Sequence, residues 1–350
     1  MEVRFFEPAK DYLRFKKEYD AAWESVNMRG DLILRKDVEE FEQRLADYVG
    51  TKYAIALNSG TDALVLSLKA MGWKRDAPIA VPSHTFKSTC GAVLTAGYKP
   101  TIYDMDKHPR LFGYNHEAVI VTHVAGEISS LPSPLNPAFV IEDACQAFGA
   151  IKNPTTIAQC WSFYPAKILG AKGDAGAVTT NDPRVYECVK EARNHFKTDN
   201  RDFGINSRMD NLQAALLNVK IQHIDEILNR RKEIAEKYLE ELRGVELPND
   251  QKGRVWQDFI IKVPNKQIDW KITNKYGIFP QSHTRNEFYE FLKKEGVETM
   301  KNEYPFTPEY PKLPLAARYE AETLRIPCNE NLTDEEVEYV IKKINEFGLL

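Results

Sequence analysis

No run of residues in this 350-residue chain approaches the roughly 18 consecutive apolar positions that a membrane-spanning helix needs, so no membrane association is expected. The first thirty residues are charged and aromatic and lack the apolar centre of a secretion signal. Cysteine is scarce. The five present (Cys90, Cys145, Cys160, Cys188 and Cys328) are odd in number and widely spread, with no CxxC pair. Neither a disulfide framework nor a metal site is therefore expected, and a reducing cytoplasm fits. Charge imbalance is small, at −4, and no long basic run exists, which argues against a nucleic-acid partner. Internal repeats and low-complexity segments are missing too.

What is present is an ordinary globular composition, 43% apolar and 28% charged, on a chain long enough for two domains. Residues 10–28 place Phe15, Tyr19, Ala22, Trp23 and Val26 at helical spacing, and a second helix over 36–49 ends at Gly50. Tyr53–Leu57 reads as a strand, and Asn58-Ser59-Gly60-Thr61 turns directly into a helix. Strands alternate with helices from there, at Ile79–Val81, Pro100–Tyr103, Ala118–His123, Ala138–Glu142, Trp161–Tyr164 and Ala177–Thr180. Such alternation predicts an α/β fold, a mostly parallel sheet covered on both faces. Residues 206–243 read as helical. Beyond Gly244 the pattern changes, with a strand over Val255–Val263, helices near 285–294 and 315–324, and a final helix opened by a Thr333/Glu336 capping box. The expected division is a large domain over 1–244 and a smaller α+β domain over 245–350, with the N-terminal helices able to pack on the latter.

The segment from Cys160 to Asn181 stands out. Pro165 halts an apolar-aromatic strand, Lys167 follows two residues later, and Gly170, Gly173 and Gly176 come next. A lysine on a surface loop is the plainer alternative. A lysine beside an apolar strand end is also a candidate imine-forming nucleophile, since burial favours the neutral amine that attacks a carbonyl. Asp143, 24 positions earlier, follows the apolar run Phe139-Val140-Ile141 and so lies at a strand end. Pyridoxal phosphate needs both groups, a lysine for its aldehyde and an acid for its ring nitrogen. Its phosphate needs a helix N-terminus and hydroxyls, which Gly60, Thr61 and Ser162 could supply. Phe86 is placed to cover one ring face. In open α/β sheets ligands bind at the carboxyl ends of strands, where all these residues are expected.

The motifs Ser59-Gly60-Thr61-Asp62-Ala63-Leu64, Val81-Pro82-Ser83-His84-Thr85-Phe86, Thr122-His123 with Gly126, Glu142-Asp143-Ala144-Cys145-Gln146-Ala147 and Ser162-Phe163-Tyr164-Pro165-Ala166-Lys167 occur in that order. Together with Asn206, Arg208 and Leu332-Thr333-Asp334-Glu335, this series resembles the DegT/DnrJ/StrS family of pyridoxal-phosphate-dependent sugar aminotransferases. The resemblance implies fold type I, a seven-stranded large domain and a smaller C-terminal one. It further implies that Lys167 binds the cofactor and moves the proton, that Asp143 pairs with the ring nitrogen and that Gln146 bonds the phenolic oxygen. Phe86 would stack on the ring, while Gly60, Thr61 and Ser162 would hold the phosphate. Asn206 would reach the cofactor of a second copy, which implies a homodimer with shared sites.

The implied reaction converts a nucleotide-linked keto-deoxysugar to an amino sugar with L-glutamate as donor. Another reaction on the same fold, a lyase or a non-nucleotide transaminase, stands as the alternative, as does a non-catalytic regulatory protein. Lys172 is the rival lysine, but the serine five positions before Lys167 favours the latter. Phe148 stands where the family usually has histidine, and Leu34-Arg35 where Gly-Pro is usual. The family's His-Tyr-Pro-x-Pro-Leu-His stretch finds only Lys301-Asn302-Glu303-Tyr304-Pro305-Phe306 here. Tyr304 is thus the candidate substrate residue in that region. His123 is a second candidate, with a buried histidine bonded to backbone as its equal alternative.

Overall fold

The computed structural model describes residues 1–105, 118–130, 136–198, 204–263, 283–304, 310 and 313–347. Seven strands form the main sheet: β1 (Tyr53–Leu57), β2 (Pro78–Pro82), β3 (Lys99–Tyr103), β4 (Ala118–Thr122), β5 (Val140–Asp143), β6 (Ala158–Ser162) and β7 (Gly176–Thr180). Their order is β1-β7-β6-β5-β4-β2-β3. Strands β2 to β6 pair in parallel, while β7 runs antiparallel to both β1 and β6. The expected mostly parallel seven-stranded sheet is therefore observed.

Alternate side chains of each strand serve different layers. Ala54 and Ala56 of β1 pack with Trp161 and Ala177 under α2 (Lys16–Arg29), α3 (Lys36–Val49) and α7 (Asn211–Gln222). Ile55 and Leu57 point the other way, with Ile79, Ile120, Ile141 and Val178, against α4 (Gly60–Ala70), α5 (Lys87–Thr95) and α6 (Pro183–Ala192). Both faces of the sheet are covered.

The second sheet is small, in the order β8 (Phe259–Lys262), β10 (Thr323–Ile326), β9 (Met300–Lys301). Its core joins Phe259, Ile261, Leu324 and Ile326 to Val337, Val340, Ile341 and Ile344 of α11 (Asp334–Glu346). The capping box is made as expected: Thr333 Oγ1 accepts from the Glu336 N–H at 3.2 Å, and Glu336 Oε2 accepts from the Thr333 N–H at 2.8 Å. Helix α8 (Ile224–Glu241) serves two cores. Its Ile224 and Ile227 join the main-sheet cluster, whereas Ile234, Ala235 and Tyr238 join the small-sheet cluster, as does Val3.

Several expected elements differ. The helix over 10–28 is two, α1 (Pro8–Arg14) and α2, hinged at Phe15, and Trp23 is 53% exposed although it stands four residues after the buried Tyr19 and three before the buried Val26. The stretch 206–243 divides at His223, whose ring stacks on Phe15 at 4.5 Å. The strand expected over Val255–Val263 shortens to β8, since Val255 donates to Gly126 instead and Arg231 binds the carbonyls of Trp256 and Gln257. The helices near 285–294 and 315–324 are α9 (His283–Lys294) and α10 (Pro314–Glu322), and the latter yields at Thr323 to β10, a strand the spacing did not reveal. Strand β6 ends at Ser162 rather than Tyr164, because its partner β7 begins at Gly176, opposite Ser162.

Candidate active site

Register puts the candidate residues on one edge of the sheet. Thr122 lies opposite Asp143, and Asp143 opposite Cys160. Ser162 and Leu57 both pair with Gly176, one from each side of β7. The carboxyl ends of β1, β4, β5 and β6 thus open together, and the turns carrying Gly60, Asp143 and Lys167 leave from there. Gly176 permits the closest of these approaches: a Cβ on it would lie 2.2 Å from the carbonyl carbon of Ser59.

Cys145 is the point where these turns meet. A Cβ on Gly60 would stand 2.8 Å from Cys145 Sγ and 2.9 Å from Ser162 Cβ, so only glycine lets the start of α4 settle against the end of β6. Burial, and after it the Asp143 carboxylate, raises the Cys145 thiol well above its ordinary pKa, while Lys167 acts in the opposite direction. One half-buried cysteine therefore senses both the carboxylate and the amine.

Asp143 is buried, and its oxygens are both used: Oδ2 accepts from Thr89 Oγ1 at 2.7 Å and Oδ1 from the Cys145 N–H at 3.3 Å. Thr89 is held in turn by Thr85 at 2.7 Å. Helix α4 begins at Gly60 with Ser59 as its cap, the Ser59 hydroxyl accepting from the Asp62 N–H at 3.1 Å. The N–H groups of Gly60 and Thr61 precede any intrahelical acceptor, so the turn offers donors and the positive end of a helix dipole. Ser162 Oγ stands beside it and accepts from the Tyr164 N–H at 3.3 Å.

The Lys167 amine makes no hydrogen bond or ion pair among the described residues, and its backbone N–H donates to Tyr164 at 2.8 Å. Lys172 is committed elsewhere. Its amine pairs with the buried Asp11 and lies 4.7 Å above the Tyr19 ring. Asp11 also meets Lys220 at 2.9 Å. Of the two lysines on this loop, only Lys167 is available.

Gln146 presents its amide between two parts of the chain. Its Oε1 accepts from the Ala125 N–H at 2.7 Å, and its Nε2 donates to Tyr304 Oη at 3.3 Å. Burial pushes the Tyr304 phenol above its ordinary pKa, so its hydroxyl stays protonated and can still donate. Tyr304 contacts Phe86 edge-on at 6.4 Å and His84 at 5.1 Å. Phe86 itself is 52% exposed at the N-cap of α5, the helix that carries Thr89. The segment expected to face substrate continues into Pro305 and Phe306, which lie outside the described residues.

Two expected residues stand apart. His123 is buried with both ring nitrogens engaged: Nδ1 accepts from the Ser129 N–H at 3.1 Å, which leaves Nε2–H to donate to Glu142 Oε2 at 2.8 Å. Both bonds are to groups of its own chain, as in the buried alternative. Asn206 is exposed, and its Oδ1 accepts from Arg208 Nε at 2.9 Å with no bond to the other site residues. Phe148 fills apolar space against Trp161 and Phe163. Sequence reasoning did not single out Thr89, the direct partner of Asp143; a buried threonine three residues after Phe86 on a helix was its only signal. A cavity of about 430 Å³, lined by His84, Tyr103, Thr122, Arg254 and Tyr319, lies beyond β2 and β4 and contains neither Lys167 nor Asp143.

The donor set fits pyridoxal phosphate: an available amine, a buried carboxylate, a side-chain amide, an open aromatic face and a glycine-opened helix terminus with two hydroxyls nearby. Comparison with known proteins agrees. A transaminase of Aneurinibacillus thermoaerophilus, named dTDP-3-amino-3,6-dideoxy-alpha-D-galactopyranose transaminase, is 31% identical, with 99% of each chain covered. A pleiotropic regulatory protein of Geobacillus stearothermophilus is 30% identical over 99% of each chain. Among solved structures, S. venezuelae DesV in complex with a ketimine intermediate superposes with a TM-score of 0.83 at 27% identity, covering 99% of this chain and 98% of that one. The DegT/DnrJ/EryC1/StrS aminotransferase family matches residues 14–345, and the chain belongs to that family.

Proposed function

We propose that the protein is a pyridoxal-phosphate-dependent aminotransferase that converts a nucleotide-linked keto-deoxysugar to the amino sugar, with L-glutamate as donor. The observation that carries this reading is a lysine amine with no hydrogen bond or ion pair among the described residues, on a turn leaving the same end of the sheet as a buried carboxylate and a helix N-terminus. The similarity to the named dTDP-sugar transaminase supports the substrate class. When bound, the cofactor supplies an aldehyde for an amine to condense with and a ring that takes up electrons from a deprotonated carbon.

The chain's own groups then have defined tasks. Gly60 and Thr61 N–H groups and the Thr61 and Ser162 hydroxyls hold the phosphate. Asp143 keeps the ring nitrogen protonated, Gln146 bonds the phenolic oxygen, and Phe86 covers one ring face. Lys167 would take the proton from the donor's α-carbon and hold it at Nζ for return to the cofactor-bound product. With the keto-sugar it performs the reverse transfer. One amine held within reach of both carbons would suffice for both halves. Tyr304, bonded to Gln146, would donate its hydroxyl proton to a sugar oxygen.

The test is spectroscopic. Purified protein should absorb in the visible, L-glutamate should bleach that band, and a keto-sugar nucleotide from a panel should restore it. A protein that gains no band on addition of pyridoxal phosphate would overturn the reading. Restoration by non-nucleotide ketones alone would transfer it to the second substrate class. A regulatory role needs no proton-moving lysine, so keeping Lys167, Asp143 and Gln146 together favours catalysis over the regulatory name of one relative.

The reading extends to a homodimer with shared sites and to a cytoplasmic location, the latter supported by five free cysteines. The exposed Asn206, which makes no hydrogen bond to the other candidate residues of its own chain, suits a role on the partner's phosphate. Asn206→Ala should weaken cofactor binding by about tenfold, the worth of one hydrogen bond to a charged group. Full cofactor affinity in the variant, or an active single chain by light scattering, contradicts sharing.

A further inference from the structure

The peptide that carries Lys167 is gripped from outside its own loop. Gln257, buried on the segment leading into β8, accepts from the Ile168 N–H at 3.1 Å through Oε1 and donates to the Ala166 carbonyl at 3.0 Å through Nε2. These are the backbone groups immediately before and after Lys167. One side-chain amide thus fixes both peptide planes that join at the Lys167 Cα, in the manner of a strand partner.

The grip is itself anchored. Arg231 of α8 donates Nη1 to the carbonyls of Trp256, Gln257 and Cys328 at 3.0, 3.1 and 3.0 Å, and its guanidinium pairs with Glu330 at 2.7 Å. The loop cannot easily evade it. A Cβ on Gly170 would lie 2.2 Å from the Pro165 carbonyl oxygen and 2.9 Å from that of Lys167, so the chain is coiled as closely as glycine permits. Further along, the Lys172 N–H donates to Gln213 at 3.1 Å.

We propose that Gln257 is a positioning residue for Lys167, holding its backbone so that the amine reaches the reacting carbons and tying that placement to the small sheet. This rests on the reading of Lys167 as the reacting amine. Neither hydrogen bond is needed to bind phosphate or ring nitrogen, so its loss should act on the lysine's chemistry and leave the cofactor cradle in place.

The experiment compares wild-type holoenzyme with Gln257→Met, which keeps length and removes both bonds, and Gln257→Glu, which keeps only the acceptor. Three readouts are taken: the pH midpoint of the visible band, kcat and KM for the L-glutamate half-reaction, and the melting temperature of the apoenzyme. Gln257→Met should retain the band, shift its pH midpoint, and lower kcat by about 10²-fold with KM little changed, as expected for a nucleophile misplaced by about an ångström. Gln257→Glu should fall between. Wild-type kcat and pH midpoint in either variant, with only the melting temperature lowered, would overturn the proposal. Should Gln257→Met fail to fold, Gln257→Glu decides by the same criteria. A Lys167→Ala control separates the two readings: a band persisting there means that Lys167 is not the reacting amine.

Discussion

Lys167→Ala is expected to abolish transamination, with turnover reduced by about 10⁴-fold or more, because nucleophile and general base are lost together. The visible band of the lysine-bound cofactor should vanish, while cofactor affinity should fall less, since the phosphate and ring contacts remain. Fold stability should be nearly unchanged, because the amine has no partner among the described residues. Lys172→Ala provides the contrast. It breaks the pair with Asp11, so it should lower stability while leaving the band in place. Spectra and half-reaction rates of the two variants separate the roles of the neighbouring lysines. A Lys167→Ala enzyme that turns over within tenfold of wild type is incompatible with the assignment.

Asp143→Asn carries the second large effect. The carboxylate is buried and accepts from Thr89 Oγ1 at 2.7 Å, and an amide oxygen can keep that bond. Stability should therefore fall less than in Asp143→Ala, because the single amide oxygen keeps one of the two bonds, whereas in the alanine variant both Thr89 and the Cys145 N–H lose acceptors. A neutral amide cannot hold a proton on the ring nitrogen, so electron uptake by the ring weakens. Turnover should drop by about 10²–10³-fold, the scale for removing one preorganised electrostatic group. Stopped-flow bleaching by L-glutamate measures it directly. Rates close to wild type in a variant that binds cofactor normally would remove Asp143 from the chemistry.

Much of this was legible in the sequence because it is written locally. The strand-turn-helix of Tyr53 to Ala70 needs only a strand, a capping serine and glycine, and all three stand in order. Lys167 and Asp143 could be found because strand ends are visible as apolar runs that stop. Non-local partners were not legible. Gln257 meets Lys167's peptide across 90 residues, and nothing around Trp256-Gln257-Asp258 distinguishes it from any buried polar side chain. For His123 the sequence left two alternatives, a substrate contact or a buried histidine bonded to backbone, and the ring is buried with bonds to Glu142 and to the Ser129 N–H. Strand β10 escaped because Leu324 and Ile326 follow α10 without a turn residue, leaving helix and strand indistinguishable by spacing.

The shared helix α8 bears on how such chains can be recombined. A chimera joined at Gly244 would take Ile234, Ala235 and Tyr238 from one parent and Phe259, Ile261 and Leu324 from the other, splitting one core between two ancestries. Parents that differ at those positions would leave holes or clashes costing about 1–3 kcal/mol each. The Arg231 guanidinium would likewise face a foreign Glu330. Segments that trade cleanly must therefore carry α8 and the C-terminal sheet as one inherited block.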